Sequence, residues 1–275
     1  MENVEKRIIR VLFLDVDGTL ISFTTHRVPQ SAVEAVTEAH DRGVKIIVAT
    51  GRAASDLGTL GEIPYDAVAA LNGADCVLRD GTVVERSLIP ADDFHRALAL
   101  SRELGFVVAI ENNDGILVNR LTPEIADFMV NAVDHPVPPV VDLEAVFARG
   151  GCCQLCFFCD VETEREVLAQ IPRLAACRWH PLFADINLRG VDKAAAVATF
   201  ARHYGIGIGQ TMAIGDGGND IPMLRAAGVG VAMGNASGEV KASADYVTAH
   251  VDADGLALAL RHYAVISAEP ACSAS

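Results

Sequence analysis

Four apolar runs of this 275-residue chain each stop at a loop of carboxylates, hydroxyls or amides set beside glycine. Residues 8–14 (IIRVLFL) end at Asp15-Val16-Asp17-Gly18-Thr19, and residues 45–49 (KIIVA) end at Thr50-Gly51-Arg52. Residues 67–71 end at Asn72-Gly73, and residues 211–214 at Gly215-Asp216-Gly217-Gly218-Asn219-Asp220. Runs rich in Val, Ile and Leu and bounded by turn formers read as buried strands. Helical spacing falls between them: Ala32, Val33, Ala35, Val36 and Ala39 recur along 31–42 before Gly43, and 193–204 and 221–227 are helical too. This alternation predicts a parallel sheet, and ligands of such a sheet bind outside the carboxyl ends of its strands. The polar loops therefore collect at one edge.

Carboxylates gathered there would repel one another unless a cation sat among them. Few and hard oxygen ligands suit Mg²⁺, which keeps several waters and accepts a phosphate as co-ligand. Asp15 and Asp17, two apart in a loop, allow one carboxylate to attack phosphorus and the other to move protons. Gly18 lets backbone amides approach an anion closely. Lys193, just inside a helix start, adds a cation beside helix amides. Other readings of single loops stand beside these. Residues 216–220 also form an ordinary tight turn, since Gly, Asn and Asp favour turns. A calcium loop wants Gly at its sixth position, where Leu20 stands. The 205–209 run (GIGIG) precedes a strand instead of following one, and no phosphate-binding Gly-Lys-Ser/Thr loop occurs.

From about Gly81 to Asp185 the texture changes to short strands (107–110, 116–118, 154–158), helices (92–104, 163–168) and the joint His135-Pro136-Val137-Pro138-Pro139. This is expected to be a separate α+β unit. Cys152, Cys153, Cys156 and Cys159 are expected on a buried, inert strand, with Cys152 and Cys156 facing one way and Cys153 and Cys159 the other. The tail 267–275 is small and polar and expected to fray. Its Cys272-Ser273-Ala274-Ser275 mimics a prenylation box, but Ser273 is not aliphatic and no basic stretch precedes it.

Hydrophobic residues make up 51% of the chain, so a sizeable core is expected, and the net charge of −14 argues against a nucleic-acid surface. No apolar stretch approaches the ~20 residues of a membrane span. Seven cysteines without small-domain spacing, and an acidic start unlike a signal peptide, lead us to expect reduced thiols and a cytoplasmic protein.

Asp15-Val16-Asp17-Gly18-Thr19-Leu20, Thr50-Gly51-Arg52, Lys193 and Gly215-Asp216-Gly217-Gly218-Asn219-Asp220, in that order, resemble the four motifs of the haloacid dehalogenase superfamily. Residues 215–247 and Asn72-Gly73-Ala74 are similar to its Cof-type phosphatases. The resemblance implies an α/β fold: a Rossmann-like parallel-sheet core from 1–81 and 186–275, with an inserted α+β cap over 82–185 that selects substrate. Only 32 residues lie between Asp17 and Thr50, against 142 between Thr50 and Lys193, so the insertion belongs in the second interval. The resemblance implies Asp15 as nucleophile, Asp17 as general acid/base, and Thr50 and Lys193 on the phosphoryl group. It also implies substrate or phosphate binding by Gly18, Gly51, Arg52, Asn72 and Asn219, with Asn219 on phosphate or orienting Lys193. Mg²⁺ would be held by Asp15, the Asp17 carbonyl and Asp216, with Asp220 in support. The implied function is hydrolysis of phosphomonoesters of small metabolites, such as sugar phosphates or phosphorylated cofactors, through an aspartyl-phosphate. Transfer of that phosphoryl group to another hydroxyl, or idle binding of a phosphometabolite, are the alternatives. Glu111, Asn112, Asn113, Asp114 and His180 are candidate cap residues. Oligomeric state has no signature here.

Overall fold

The computed structural model describes residues 8–131 and 135–268; the chain's start and its Cys272-bearing end lie outside them. The chain first lays down β1 (Val11–Leu14), helix α1 (Gln30–Asp41), β2 (Lys45–Ala49), β3 (Ala67–Ala70), β4 (Asp75–Leu78) and β5 (Val83–Arg86). It then builds α2 (Ala91–Leu104), β6 (Val107–Asn112), β7 (Gly115–Val118), α3 (Pro123–Asn131), α4 (Leu143–Phe147), β8 (Gln154–Phe158), α5 (Val161–Gln170), β9 (Leu174–His180) and β10 (Phe183–Leu188). Last come α6 (Lys193–His203), β11 (Thr211–Gly215), α7 (Ile221–Ala226), β12 (Val229–Ala232), α8 (Gly238–Lys241), β13 (Tyr246–Val247) and α9 (Gly255–His262).

These elements divide into two compact units. One comprises Met1–Thr50, Leu57–Glu85 and Asp192–Ser275; the other comprises Gly51–Asp56 and Arg86–Val191. In the first, eight strands run in the order β13-β12-β11-β1-β2-β3-β4-β5, parallel from β13 to β3 with β4 antiparallel to β3. Leu12, Phe13 and Leu14 are fully buried, each contributing ~1.5–3 kcal/mol of transfer free energy. Phe13 meets Phe200 of α6 at 6.3 Å between ring centres. Gly43, at φ +85°, ends α1 where the sequence places a stop.

The second unit carries a five-stranded sheet in the order β7-β6-β8-β10-β9, antiparallel throughout. Phe94 and Leu98 of α2 and Val167 of α5 cover one face, over Val108, Ile110, Leu155, Phe157 and Ile186. Ile125, Phe128 and Met129 of α3 cover the other, over Val107, Ala109, Cys156, Phe158 and Phe183. The expected joints at Gly81 and Asp185 differ from the observed divisions after Glu85 and after Val191. The reason is pairing: β5 stays on the first sheet, and Asp185 lies buried inside β10.

The expected facing of the cysteines also needs correcting. Cys152 packs with Leu155, Phe157 and Cys159, whereas Cys156 packs with Phe158 on the opposite face. Strand pairing starts only at Gln154, so a period of two does not extend back to Cys152. Strands β9 and β10 were not legible, because Arg178 and His180 interrupt the apolar pattern of the first and Asp185 and Asn187 that of the second. Arg178 is accommodated by bonds to Glu164 and to the carbonyls of Cys159, His180 and Pro181.

Candidate active site

Because β1, β2, β3 and β11 run parallel, their carboxyl ends emerge together. Leu14 pairs with Ile214 and with Val48, and the Asp15 amide donates to the Ile214 carbonyl at 3.0 Å. The Thr50 amide donates to Ala69 at 3.0 Å, and the Asn72 amide to Thr50 at 2.9 Å. All four polar loops foreseen in the sequence thus start, at Asp15, Thr50, Asn72 and Asp216, from one edge of the first unit's sheet.

The side chains converge on Lys193, the first residue of α6, whose ammonium is fully buried. Its Nζ lies 2.6 Å from Asp15 Oδ1 and 2.7 Å from Asp220 Oδ1. The second oxygen of Asp220 accepts the amides of Asp216 and Gly217 at 3.0 and 2.9 Å. Asp216 accepts from Thr19 Oγ1 on one oxygen at 3.2 Å and from Asn235 Nδ2 on the other at 3.0 Å. One carboxylate oxygen from each of Asp15, Asp216 and Asp220 lies within 4.8 Å of the others.

Three carboxylates share one ammonium, and the ionisations show the imbalance. Burial and the neighbouring Asp220 hold the Asp15 carboxyl well above the carboxylate range, with Lys193 opposing. Burial and Asp220 push Asp216 up to about 6. Burial alone would depress Lys193, but Asp15 and Asp220 outweigh it and raise its pKa. A divalent cation among these hard oxygens would offset the excess negative charge, so the donor set fits one.

Backbone geometry is as specific as the charge. Gly18 has φ +85°, and a Cβ there would stand 2.2 Å from Asp216 Oδ2, so only glycine lets the two loops touch. Leu71, Asn72 and Gly73 are successively left-handed, with φ of 51°, 56° and 89°. Such a run costs of order 1–3 kcal/mol for each non-glycine residue and persists where the surroundings impose it. It aims Asn72 at Asn219, whose Nδ2 donates to Asn72 Oδ1 at 3.0 Å. Lys193 is oriented by Asp15 and Asp220, while the bond of Asn219 goes to Asn72.

Asp17 stands in the loop after β1, which bridges back to Ile21, and is not one of the three clustered carboxylates. Gly51 and Arg52 fall in the second unit, where Arg52 faces Asp56 at 3.6 Å and the Gly51 carbonyl accepts from Gln154 Nε2 at 3.3 Å. Of the cap candidates, Glu111 is buried and bonded to Gln154 Nε2 at 2.9 Å, within reach of Cys156. Asn112 Oδ1 accepts from the Asp114 amide in the β6–β7 turn. His180 accepts from the Leu182 amide and packs on Phe128 at 4.5 Å.

Sequence reasoning passed over Thr19 and Asn235. A signal existed for the latter: Gly234-Asn235 follows buried β12, repeating the strand-end pattern of an amide beside glycine.

Residues 12–260 match the haloacid dehalogenase-like hydrolase family. The chain belongs to that family, and it is a hydrolase acting on phosphoric monoesters. It is similar to BT1666 of Bacteroides thetaiotaomicron, a phosphatase of this superfamily, at 54% identity and a TM-score of 0.91 over 97% of this chain and 99% of that one. It is similar to the subclass IIB sugar phosphatase BT4131 at 38% identity and a TM-score of 0.85, over 94% and 100%. The 5-amino-6-(5-phospho-D-ribitylamino)uracil phosphatase YcsE of Bacillus subtilis is 30% identical, over 93% of this chain and 96% of its own.

Proposed function

We propose that the protein is a Mg²⁺-dependent phosphatase of small phosphorylated metabolites that works through an aspartyl-phosphate on Asp15. The observation that carries this reading is the Asp15–Lys193–Asp220 constellation, with Asp216 beside it at the carboxyl ends of β1 and β11. In the first step an Asp15 oxygen bonds to phosphorus as the ester P–O bond breaks, and Asp17 gives its proton to the leaving oxygen. In the second, Asp17 takes a proton from water, whose oxygen bonds to phosphorus and releases inorganic phosphate and the Asp15 carboxylate. Lys193 favours the ionised Asp15 and, with Thr50, binds phosphoryl oxygens. Asp15, the Asp17 carbonyl and Asp216, supported by Asp220, would hold the metal. When bound, Mg²⁺ offsets the repulsion between a phosphate dianion and these carboxylates.

Similarity to a sugar phosphatase and to a ribitylamino-uracil phosphatase supports a polyhydroxylated leaving group. The reading gives the second unit the role of a substrate-selecting cap. The test is release of phosphate from p-nitrophenyl phosphate and a panel of sugar phosphates, with Mg²⁺, with EDTA, and with Asp15→Asn. Release that needs Mg²⁺ and vanishes in Asp15→Asn is expected. Turnover retained by folded Asp15→Asn overturns the assignment of the nucleophile.

A further inference from the structure

Asn235 holds three segments at once. Its Nδ2 donates to the Gly18 carbonyl at 2.8 Å and to Asp216 Oδ2 at 3.0 Å, while its Oδ1 accepts the Val251 amide at 3.0 Å. The Val251 bond decides which end of the side-chain amide faces where: a backbone N–H requires the oxygen, so the two N–H donors must point at Gly18 and Asp216. Thr19 completes the grip by donating to the other oxygen of Asp216 at 3.2 Å. Each Asp216 oxygen thus receives one outside hydrogen bond, which sets the plane of the carboxylate, and each keeps a lone pair free for a cation.

We propose that Asn235 is a positioning residue for the metal: it presents Asp216 to the cation and ties it to the Gly18 peptide of the nucleophile loop. The argument rests on the reading above that Asp216 is a metal ligand. Carboxylate ligands depend on such outer hydrogen bonds, because a free carboxylate must surrender its rotation when it coordinates. Asn235 removes that freedom beforehand. It also couples the two loops, since one amide group serves both and neither can shift without breaking a bond in the other.

The experiment measures Mg²⁺ binding by titration calorimetry on metal-free enzyme, with kcat at saturating Mg²⁺ as a second readout. The proteins are wild type, Asn235→Ala, Thr19→Val and Asp216→Ala. Thr19→Val conserves shape and removes only the second donor on Asp216, so it keeps the test decisive if Asn235→Ala folds poorly. The expected result is loss of the Mg²⁺ heat in Asp216→Ala and a Kd raised about 10- to 100-fold in Asn235→Ala and Thr19→Val. In those two variants kcat should recover as Mg²⁺ is raised, a split that a purely structural role would not produce. Wild-type Kd in both donor variants alongside a silent Asp216→Ala overturns the positioning role and leaves the metal assignment intact. Wild-type Kd in all three overturns the metal assignment and the inference with it.

Discussion

Glu111 and Lys193 are both buried titratable groups, and their surroundings treat them in opposite ways. Lys193 meets two carboxylates at 2.6 and 2.7 Å and stays charged. Glu111 faces the Gln154 amide, the Cys156 thiol and a second acid, Asp185; burial first, and Asp185 next, push its pKa up to about 8. In the unfolded chain that carboxyl loses its proton near 4.5, whereas the folded protein keeps it to about 8. Between those values the folded state binds more protons. The contribution of Glu111 to stability is therefore fully present below 4.5 and is lost as pH rises through about 8, by at most about 1.4 kcal/mol per pH unit. Urea midpoints of wild type and Glu111→Gln at pH 5 and pH 8 check this. The variant should lose less stability between the two pH values, and an identical drop in both proteins refutes it.

Helix α6 shows how an element places a functional group. Its N-cap, Asp192, accepts the Ala195 amide at 2.8 Å, and Lys193 follows at once. The Asp192 carbonyl stands 2.4 Å from where a Gly73 side chain would begin, so the left-handed turn after β3 and the start of α6 touch. Asp192→Ala should cost about 1 kcal/mol of stability and lower kcat by loosening Lys193, while Asp192→Asn keeps the cap and stays close to wild type. Chemical denaturation and turnover of the two variants decide it; equal stability of Ala and Asn at 192 contradicts the capping role. The spacing of 193–204 announced this helix to within one residue of its observed end at His203, because its apolar positions recur on a helical period. The β9–β10 hairpin carried no such signal: Arg178 is held there by Glu164 and the Cys159 carbonyl, far off in sequence, as well as by the carbonyls of His180 and Pro181 in its own hairpin.

At the scale of the molecule, charge is the governing quantity. A chain of net charge −14 concentrates Asp15, Asp216 and Asp220 around one ammonium. Among the described residues no helix is long and apolar enough to cross a membrane. Folding must therefore gather carboxylates against their repulsion, and a cation that binds only the folded site returns stability through mass action. Mg²⁺ at about a hundred times its Kd should add about 2.7 kcal/mol and raise the unfolding temperature, EDTA should remove the gain, and Asp216→Ala should abolish it. Differential scanning calorimetry with and without Mg²⁺ measures it; an unfolding temperature indifferent to Mg²⁺ in the wild type refutes the cation site.

The amino-acid sequence by itself determined the apolar strands, the loops at their ends and the residue types those loops carry, because strand and turn propensities act over a few neighbouring residues. It thereby determined that Asp15, Thr50, Asn72 and Asp216 would share one edge, while Lys193, at a helix start, was joined to them by the family resemblance. Only the tertiary structure decided the pairings: Lys193 between Asp15 and Asp220, Asn235 between Gly18 and Asp216, and Glu111 beside Gln154 and Cys156. Asp15 and Lys193 are 178 positions apart, and no local preference joins them. Their partnership follows from β1 lying between β2 and β11, where each buried polar group must find its bond within the protein because water is excluded.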